Sequence, residues 1–328
     1  MLKSAAIVTG AARHLDLLPN LTAETRVWPI PFADGIEPLL ALRGRSVVIL
    51  ASGDPFWFGA GSVLARHLER TEWQALPAPS VASHAAAHLG WPLEKTPVFG
   101  LHAAPLQRLR PALYAGARLL VLLRDGEAVT KLAAYMTDLG FGASHLWVME
   151  AMGGPRERVR CTTADRLDFD DIHHPVCAAL SVDGSGSPLP VSSGLLDDFF
   201  DHDGQITKRP IRAITLSTLA PLPGEHLWDI GAGSGAIGIE WMLGHPANRT
   251  TAIEHNRERA ARIRHNADAL GAGHLKLFEG NALEFLSSIL AKEPPDAVFI
   301  GGGLCADLLQ VLWQHVPAGT RVVANSVT

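Results

Sequence analysis

At 328 residues, with 47% hydrophobic and 19% charged content, the chain is long enough for two globular domains and unlike a disordered or fibrous protein. A formal net charge of -5 and a pI near 6.3 supply no basic footprint for nucleic acid, and no window nears ~18 uninterrupted apolar residues, so no membrane span is expected. Cys161, Cys177 and Cys305 lie far apart and outside any C-x-x-C spacing. Reduced, buried thiols in a cytoplasmic protein fit that pattern, with no disulfide framework and no metal site.

Through residue 185, short aliphatic runs alternate with helical segments, the pattern of an α/β domain. Strands are predicted over 5–8, 47–51, 119–123 and 145–149, and helices over 59–70, 83–89 and 128–139. Strands over 159–162 and 176–182 follow with little helix between them, so this later part should be more antiparallel. The loop Ser52-Gly53-Asp54-Pro55-Phe56-Trp57-Phe58-Gly59-Ala60-Gly61 leaves a strand and enters a helix, the place where α/β sheets carry ligand loops. Residues 186–193, rich in Gly, Ser and Pro, read as a linker between a domain over 1–185 and another over 194–328.

The second domain repeats a βα pattern. A helix over 208–219 shows helical spacing of Ile211, Ile214, Thr215 and Thr218. Strands follow over 227–230, 250–254, 274–278, 297–300 and 320–327, with an Arg-studded helix over 258–270. After the first of these strands Gly231, Gly233 and Gly235 stand on alternate positions, so the backbone can turn sharply into a helix and lie bare against a ligand. Gly231-x-Gly233-x-x-Ala236 also satisfies the dinucleotide fingerprint. Asp229 separates the two readings: its carboxylate would repel a pyrophosphate but suits the cationic amino-acid end of S-adenosylmethionine (SAM). SAM is therefore the favoured cofactor, and an NAD(P)-dependent oxidoreductase is the alternative. Glu254, ending the next strand, can accept both ribose hydroxyl hydrogens. Asn281 and Ala282 occupy the loop expected beside the adenine. Gly301-Gly302-Gly303 stands where amino-methylating enzymes carry N/D-P-P-Y/F, which with the acidic pI counts against the other alternative, a nucleic-acid methyltransferase.

The run Asp229-x-Gly231-x-Gly233-x-Gly235 resembles the SAM-binding motif of Rossmann-like methyltransferases. The loop over 52–61 resembles the S/G-G-D-P-F-x-F-G-x-G motif of the tetrapyrrole methylase family. Pro79-Ser80-Val81-Ala82-Ser83, with Ala85-Ala86-Ala87, resembles that family's P-G-[IV]-[ST]-[ST] turn and small-residue helix. Segments 123–126 and 153–158 resemble later loops of the same family. The resemblance implies an α/β fold in which a bilobed tetrapyrrole methylase domain precedes a Rossmann-like SAM-dependent methyltransferase domain. It implies that Ser52, Gly53, Asp54, Trp57, Ala82 and Ser83 bind a first SAM, and that homo-oligomers form. It also implies that the tetrapyrrole methylase family's first strand, and the closing hairpin of Rossmann-like methyltransferases, have no counterpart in this sequence. The pairing of domains resembles the fused, decarboxylating precorrin methyltransferases of cobalamin synthesis, which implies methylation of precorrin-6B at carbons 5 and 15 and loss of carbon dioxide from the ring C acetate. No catalytic acid or base is singled out. A tetrapyrrole carries many carboxylates, so Lys208, Arg209 and Arg212 in the second domain, and Arg13 and His14 in the first, are candidate substrate ligands.

Overall fold

The computed structural model describes residues 2–289 and 293–326. Among these residues the strands form three sheets. The first is parallel, with β1 (Ile7–Gly10) between β2 (Glu24–Val27) and β3 (Val47–Ile49). Every residue of β1 is buried, whereas β2 is exposed throughout. An edge strand reading Glu-Thr-Arg-Val has no apolar alternation, so no strand was expected there. The helices α1 (Ala12–Leu15), α2 (Ile36–Leu40) and α3 (Gly61–Leu64) on this lobe are short. The helix predicted over 59–70 contracts to α3, of which only Leu64 is buried; a longer helix would have no apolar stripe to dock.

The second sheet has the order β4 (Val98–Gly100), β5 (Arg118–Leu123), β8 (Val176–Ser181), β6 (His145–Glu150), β7 (Arg158–Thr163). β4 and β5 are parallel, and the remaining pairs are antiparallel as the sparse helices predicted. The pleat sends Leu119 and Val121 toward a core with Val129, Leu132 and Met136 of α5 (Gly126–Asp138). Leu120 points the other way, against Ala82 and Ala85 of α4 (Val81–Leu89). Residues 186–193 are anchored, with the Gly186 N–H donating to the Gly140 carbonyl at 3.0 Å. The Ser187 carbonyl accepts a 2.8 Å hydrogen bond from Arg110, and Leu189 packs into the core of the following domain.

The third sheet is all parallel, with the order β11 (Lys276–Glu279), β10 (Arg249–Glu254), β9 (His226–Ile230), β12 (Ala297–Ile300), β13 (Arg321–Ala324). The end of the strand expected over 320–327, at Val327, lies outside the described residues. Leu227 packs on the face formed by α6 (Arg209–Leu219) and α7 (Ala236–Leu243), while Trp228 and Ile230 face α9 (Ala282–Ile289) and α10 (Ala306–His315). Between β10 and β11 runs α8 (Arg257–Ala269). The buried stripe of α6 is Arg212, Thr215, Leu216 and Leu219, leaving Ile211 and Ile214 exposed at 50% and 64%. This corrects the expected apolar face: two isoleucines yield to a stripe containing an arginine. The expectation of buried thiols holds for Cys177 alone. Cys161, on the edge strand β7, and Cys305, just before α10, are exposed, and all three are free. Among the described residues no helix is long and apolar enough to cross a membrane.

Candidate functional site

The strand order of the third sheet reverses at β9, whose neighbours β10 and β12 continue in opposite directions across the sheet. The carboxyl ends of strands at such a switch point form a crevice. Gly231, Gly233 and Gly235 there have φ of +70°, +62° and +77°, a region that side chains disfavour. A Cβ on Gly231 would stand 2.7 Å from the backbone nitrogen of Gly302, so the loops after β9 and β12 touch because Gly231 is bare. A Cβ on Gly302 or Gly303 would meet nothing, and their backbone faces a cavity of about 1300 Å³. Gly231, Gly233, Glu254, Asn281, Ala282 and Lys208 share its wall.

Glu254 is only 3% exposed, and its carboxylate accepts 2.9 Å hydrogen bonds from the Gly233 and Asn256 N–H groups. The strand-end acid and the glycine loop are thereby joined. Asn281 accepts from the Leu283 N–H at 2.9 Å, which orders the first turn of α9 at the cavity edge.

Two expected ligands lie elsewhere. Asp229 is fully buried and absent from the cavity wall; its Oδ2 accepts from the Gly238 N–H of α7 at 3.0 Å, and its Oδ1 has no partner. The cause is the pleat, since Asp229 shares a face with Leu227, not with Ile230. Gly235 starts α7, where a Cβ would stand 3.0 Å from Ile263 of α8, so it serves helix packing.

Burial, opposed by the Gly238 N–H, pushes the Asp229 carboxyl up from 3.8 to about 7. The folded chain therefore keeps a proton that the unfolded chain releases, and stability falls as pH rises from about 4 to about 7. Asp229→Asn keeps the acceptor for Gly238 and removes this penalty. Its gain in urea unfolding is expected to be roughly 2–3 kcal/mol larger near pH 8 than near pH 5.

Of the basic candidates in this domain, Lys208 alone reaches the cavity. Arg209 turns back to donate to the Gly194 carbonyl at 2.9 Å. Arg212 is 0% exposed and is paired with Glu240 and with Asp197, so it is a structural cation and not a substrate ligand. Gln205, Ile206, Cys305 and Asn325 also line the wall and were not foreseen; only the glycine run at 301–303 hinted at that side. Asn325 is held by Thr215 of α6 at 3.0 Å.

In the first domain Asp54, Trp57, Ala82 and Ser83 line a cavity of about 560 Å³. Asp54 accepts from the Phe56 N–H at 2.8 Å, which folds its own loop. Gly53, with φ +59°, would bring a Cβ within 3.0 Å of the Pro79 carbonyl and the Ser80 Cα; its bareness lets the loop lie on the start of α4. Ser80 caps α4 by accepting from the Ser83 N–H. The far wall, residues 93–98, carried no recognisable motif. Ser52 and Gly53 lie outside that wall, and the Ser52 hydroxyl instead meets His14 Nε2 at 2.8 Å.

Residues 1–168 match the family model of tetrapyrrole (corrin/porphyrin) methylases, and residues 198–328 match that of the precorrin methyltransferase domain. A precorrin-6Y C(5,15)-methyltransferase [decarboxylating] of Sinorhizobium sp is 45% identical over 332 residues, covering 100% of this chain and 80% of the relative. One from Mycobacterium tuberculosis is 36% identical, covering 100% of this chain and 82% of its own. A shorter relative in Salmonella typhimurium, named cobalt-precorrin-6B C(15)-methyltransferase (decarboxylating), is 32% identical over 37% of this chain and 62% of its own length. Neither the oxidoreductase nor the nucleic-acid alternative finds support in these relatives.

Proposed function

The chain belongs to the family of precorrin-6Y C(5,15)-methyltransferases (decarboxylating), and from that membership we propose that it methylates precorrin-6B at carbons 5 and 15 and removes carbon dioxide from the ring C acetate. The observation that carries the reading is the cavity at the β9 switch point, where bare glycine backbone stands beside the buried Glu254 carboxylate. Those groups fit SAM: Gly231 and Gly233 would hold its amino-acid end, Glu254 its ribose, and Asn281 and Ala282 its adenine. Asp54, Trp57, Ala82 and Ser83 would hold a second molecule in the first domain, against a helix whose alanines admit close approach. When bound, SAM supplies a methyl group already activated on a sulfonium.

The protein's part is orientation. Meso carbons of a reduced tetrapyrrole are enamine-like nucleophiles, so no strong acid or base is required. Holding carbon and donor in line can supply roughly 7–11 kcal/mol. Lys208, at the lip of the larger cavity, can receive a substrate carboxylate. We assign carbon-5 methylation to the domain over 1–185, and carbon-15 methylation with decarboxylation to that over 194–328, joined through 186–193. The name of the shorter Salmonella relative, which carries only the C(15) and decarboxylating activities, supports this division. Two exposed free thiols suit the reducing cytoplasm, where we place the enzyme as a homo-oligomer, a state that light scattering would report.

Mass spectrometry of precorrin-6B incubated with SAM and this protein tests the reading. Two added methyl groups and one lost carbon dioxide are the expected result. Tight NAD(P)H binding without a response to SAM, or methyl transfer to RNA and none to the tetrapyrrole, would overturn it.

A further inference from the structure

Neither cavity wall includes a polar cluster that joins the first two sheets. Arg13 and His14 belong to α1, just past the carboxyl end of β1; Ser52 follows β3; His174 precedes β8 in the neighbouring sheet. Arg13 Nη2 donates to Ser52 Oγ at 3.4 Å, and Arg13 Nη1 lies 3.3 Å from His174 Nε2. The His174 tautomer is fixed by the backbone. Its Nδ1 is 2.8 Å from the Arg124 carbonyl, which can only accept, so Nδ1 carries the proton and Nε2 accepts from Arg13. On the other side Ser52 Oγ is 2.8 Å from His14 Nε2, and burial, then the Arg13 charge, holds that imidazole below its usual pKa. Arg13 is thus a cation held from both sheets, by Ser52 on one side and His174 on the other. Among the described residues no carboxylate pairs with it, whereas nearby Arg124 is paired with Asp125 at 2.7 Å. Two contacts leave most of the guanidinium's planar fork of donors unused, and that fork matches a carboxylate. Ser52 also lies in the same loop as Asp54, which lines the first-domain cavity.

We propose that Arg13, steadied by Ser52, His14 and His174, is the receiving group for an acetate or propionate carboxylate of the tetrapyrrole, and sets carbon 5 against the first-domain donor site. This rests on the precorrin methyltransferase reading. The amino-acid end of SAM also bears a carboxylate, so the experiment separates the two sources.

Arg13→Gln, His174→Gln and Arg13→Lys would be made in the full chain, and their folding checked by thermal melting. Initial rates with ¹³C-methyl SAM and precorrin-6B, resolved by NMR into carbon-5 and carbon-15 products, would be set beside SAM calorimetry. In Arg13→Gln the KM for carbon-5 methylation is expected to rise about 10-fold or more, the loss of a charged hydrogen bond. SAM affinity and the KM for carbon-15 methylation should stay unchanged. His174→Gln should give a smaller rise, and Arg13→Lys should recover part of the loss. A weaker first-site SAM affinity with unchanged KM would assign the cluster to the donor, and no change in either would make it a surface feature; both overturn the proposal. Failure of the underlying reading would look different, because the unaltered chain would then transfer no methyl group.

Discussion

Glu254→Gln is expected to weaken SAM binding at the second-domain site about 100-fold, through loss of one charge-assisted hydrogen bond to the ribose worth roughly 1.5–3 kcal/mol. The substitution keeps size and one acceptor oxygen, so the Gly233 N–H can retain its partner and the glycine loop its shape. What is lost is the charge and the second acceptor, which also takes the Asn256 N–H. Carbon-15 methylation and carbon dioxide release should fall with the affinity, while carbon-5 methylation continues, because Asp54 and Trp57 line a separate cavity on other elements. Calorimetry of the full chain should show two SAM sites reduced to one at working concentrations. Asp54→Ala should remove the other site and leave the first result untouched. An unaltered affinity in Glu254→Gln would refute the ribose role. Loss of both methylations with the fold intact would refute the division of labour between the domains.

What the sequence disclosed about this site follows from how local each signal is. The turn from β9 into α7 needs left-handed backbone at three alternate residues, and only glycine spacing of that kind provides it, so Gly231, Gly233 and Gly235 were legible at once. Glu254 was legible because it is the last residue of β10, at the carboxyl end that opens on the switch-point crevice. Asp229 was not. Proximity in sequence to the glycines suggested contact with the ligand, but the pleat turns its side chain beneath α7, where it holds Gly238. The basic run at 208–212 misled for a similar reason. Lys208, Arg209 and Arg212 look alike in a list of cations, yet the register of α6 puts Lys208 at the cavity, folds Arg209 back on Gly194 and buries Arg212. Short, exposed or three-residue edge strands such as β2 and β4 leave no periodicity to read. Arg13, His14 and Ser52 were each named from the sequence, but their cluster with His174 is assembled from three distant segments, and no local pattern could announce that pairing.

The burial of Arg212 carries the largest effect on stability. Its guanidinium donates to the Glu240 carboxylate, to Asp197 at 2.9 Å, and to the Leu195 and Thr207 carbonyls, while Glu240 also accepts from the Gly194 and Leu195 N–H groups. One arginine and one glutamate thus fasten the entry segment 194–197 to α6 and α7. Arg212→Met fills much of the same volume but leaves the Glu240 charge buried without its counter-ion, a change expected to destabilise the domain by about 3–5 kcal/mol. Adding Glu240→Gln removes that charge and keeps an acceptor for the entry segment, so the double variant should be more stable than Arg212→Met alone. Urea unfolding of the parent, both single variants and the double variant measures the coupling directly. A substrate-binding arginine would behave in the opposite way, raising KM with little change in stability. If Arg212→Met unfolds at the parent's urea midpoint and raises the KM for precorrin-6B, the structural role fails and the earlier expectation of a substrate ligand is restored. If it unfolds early and the surviving folded fraction keeps the parent KM, the cation serves the fold, and Lys208 is left as the basic residue of this run that can meet substrate.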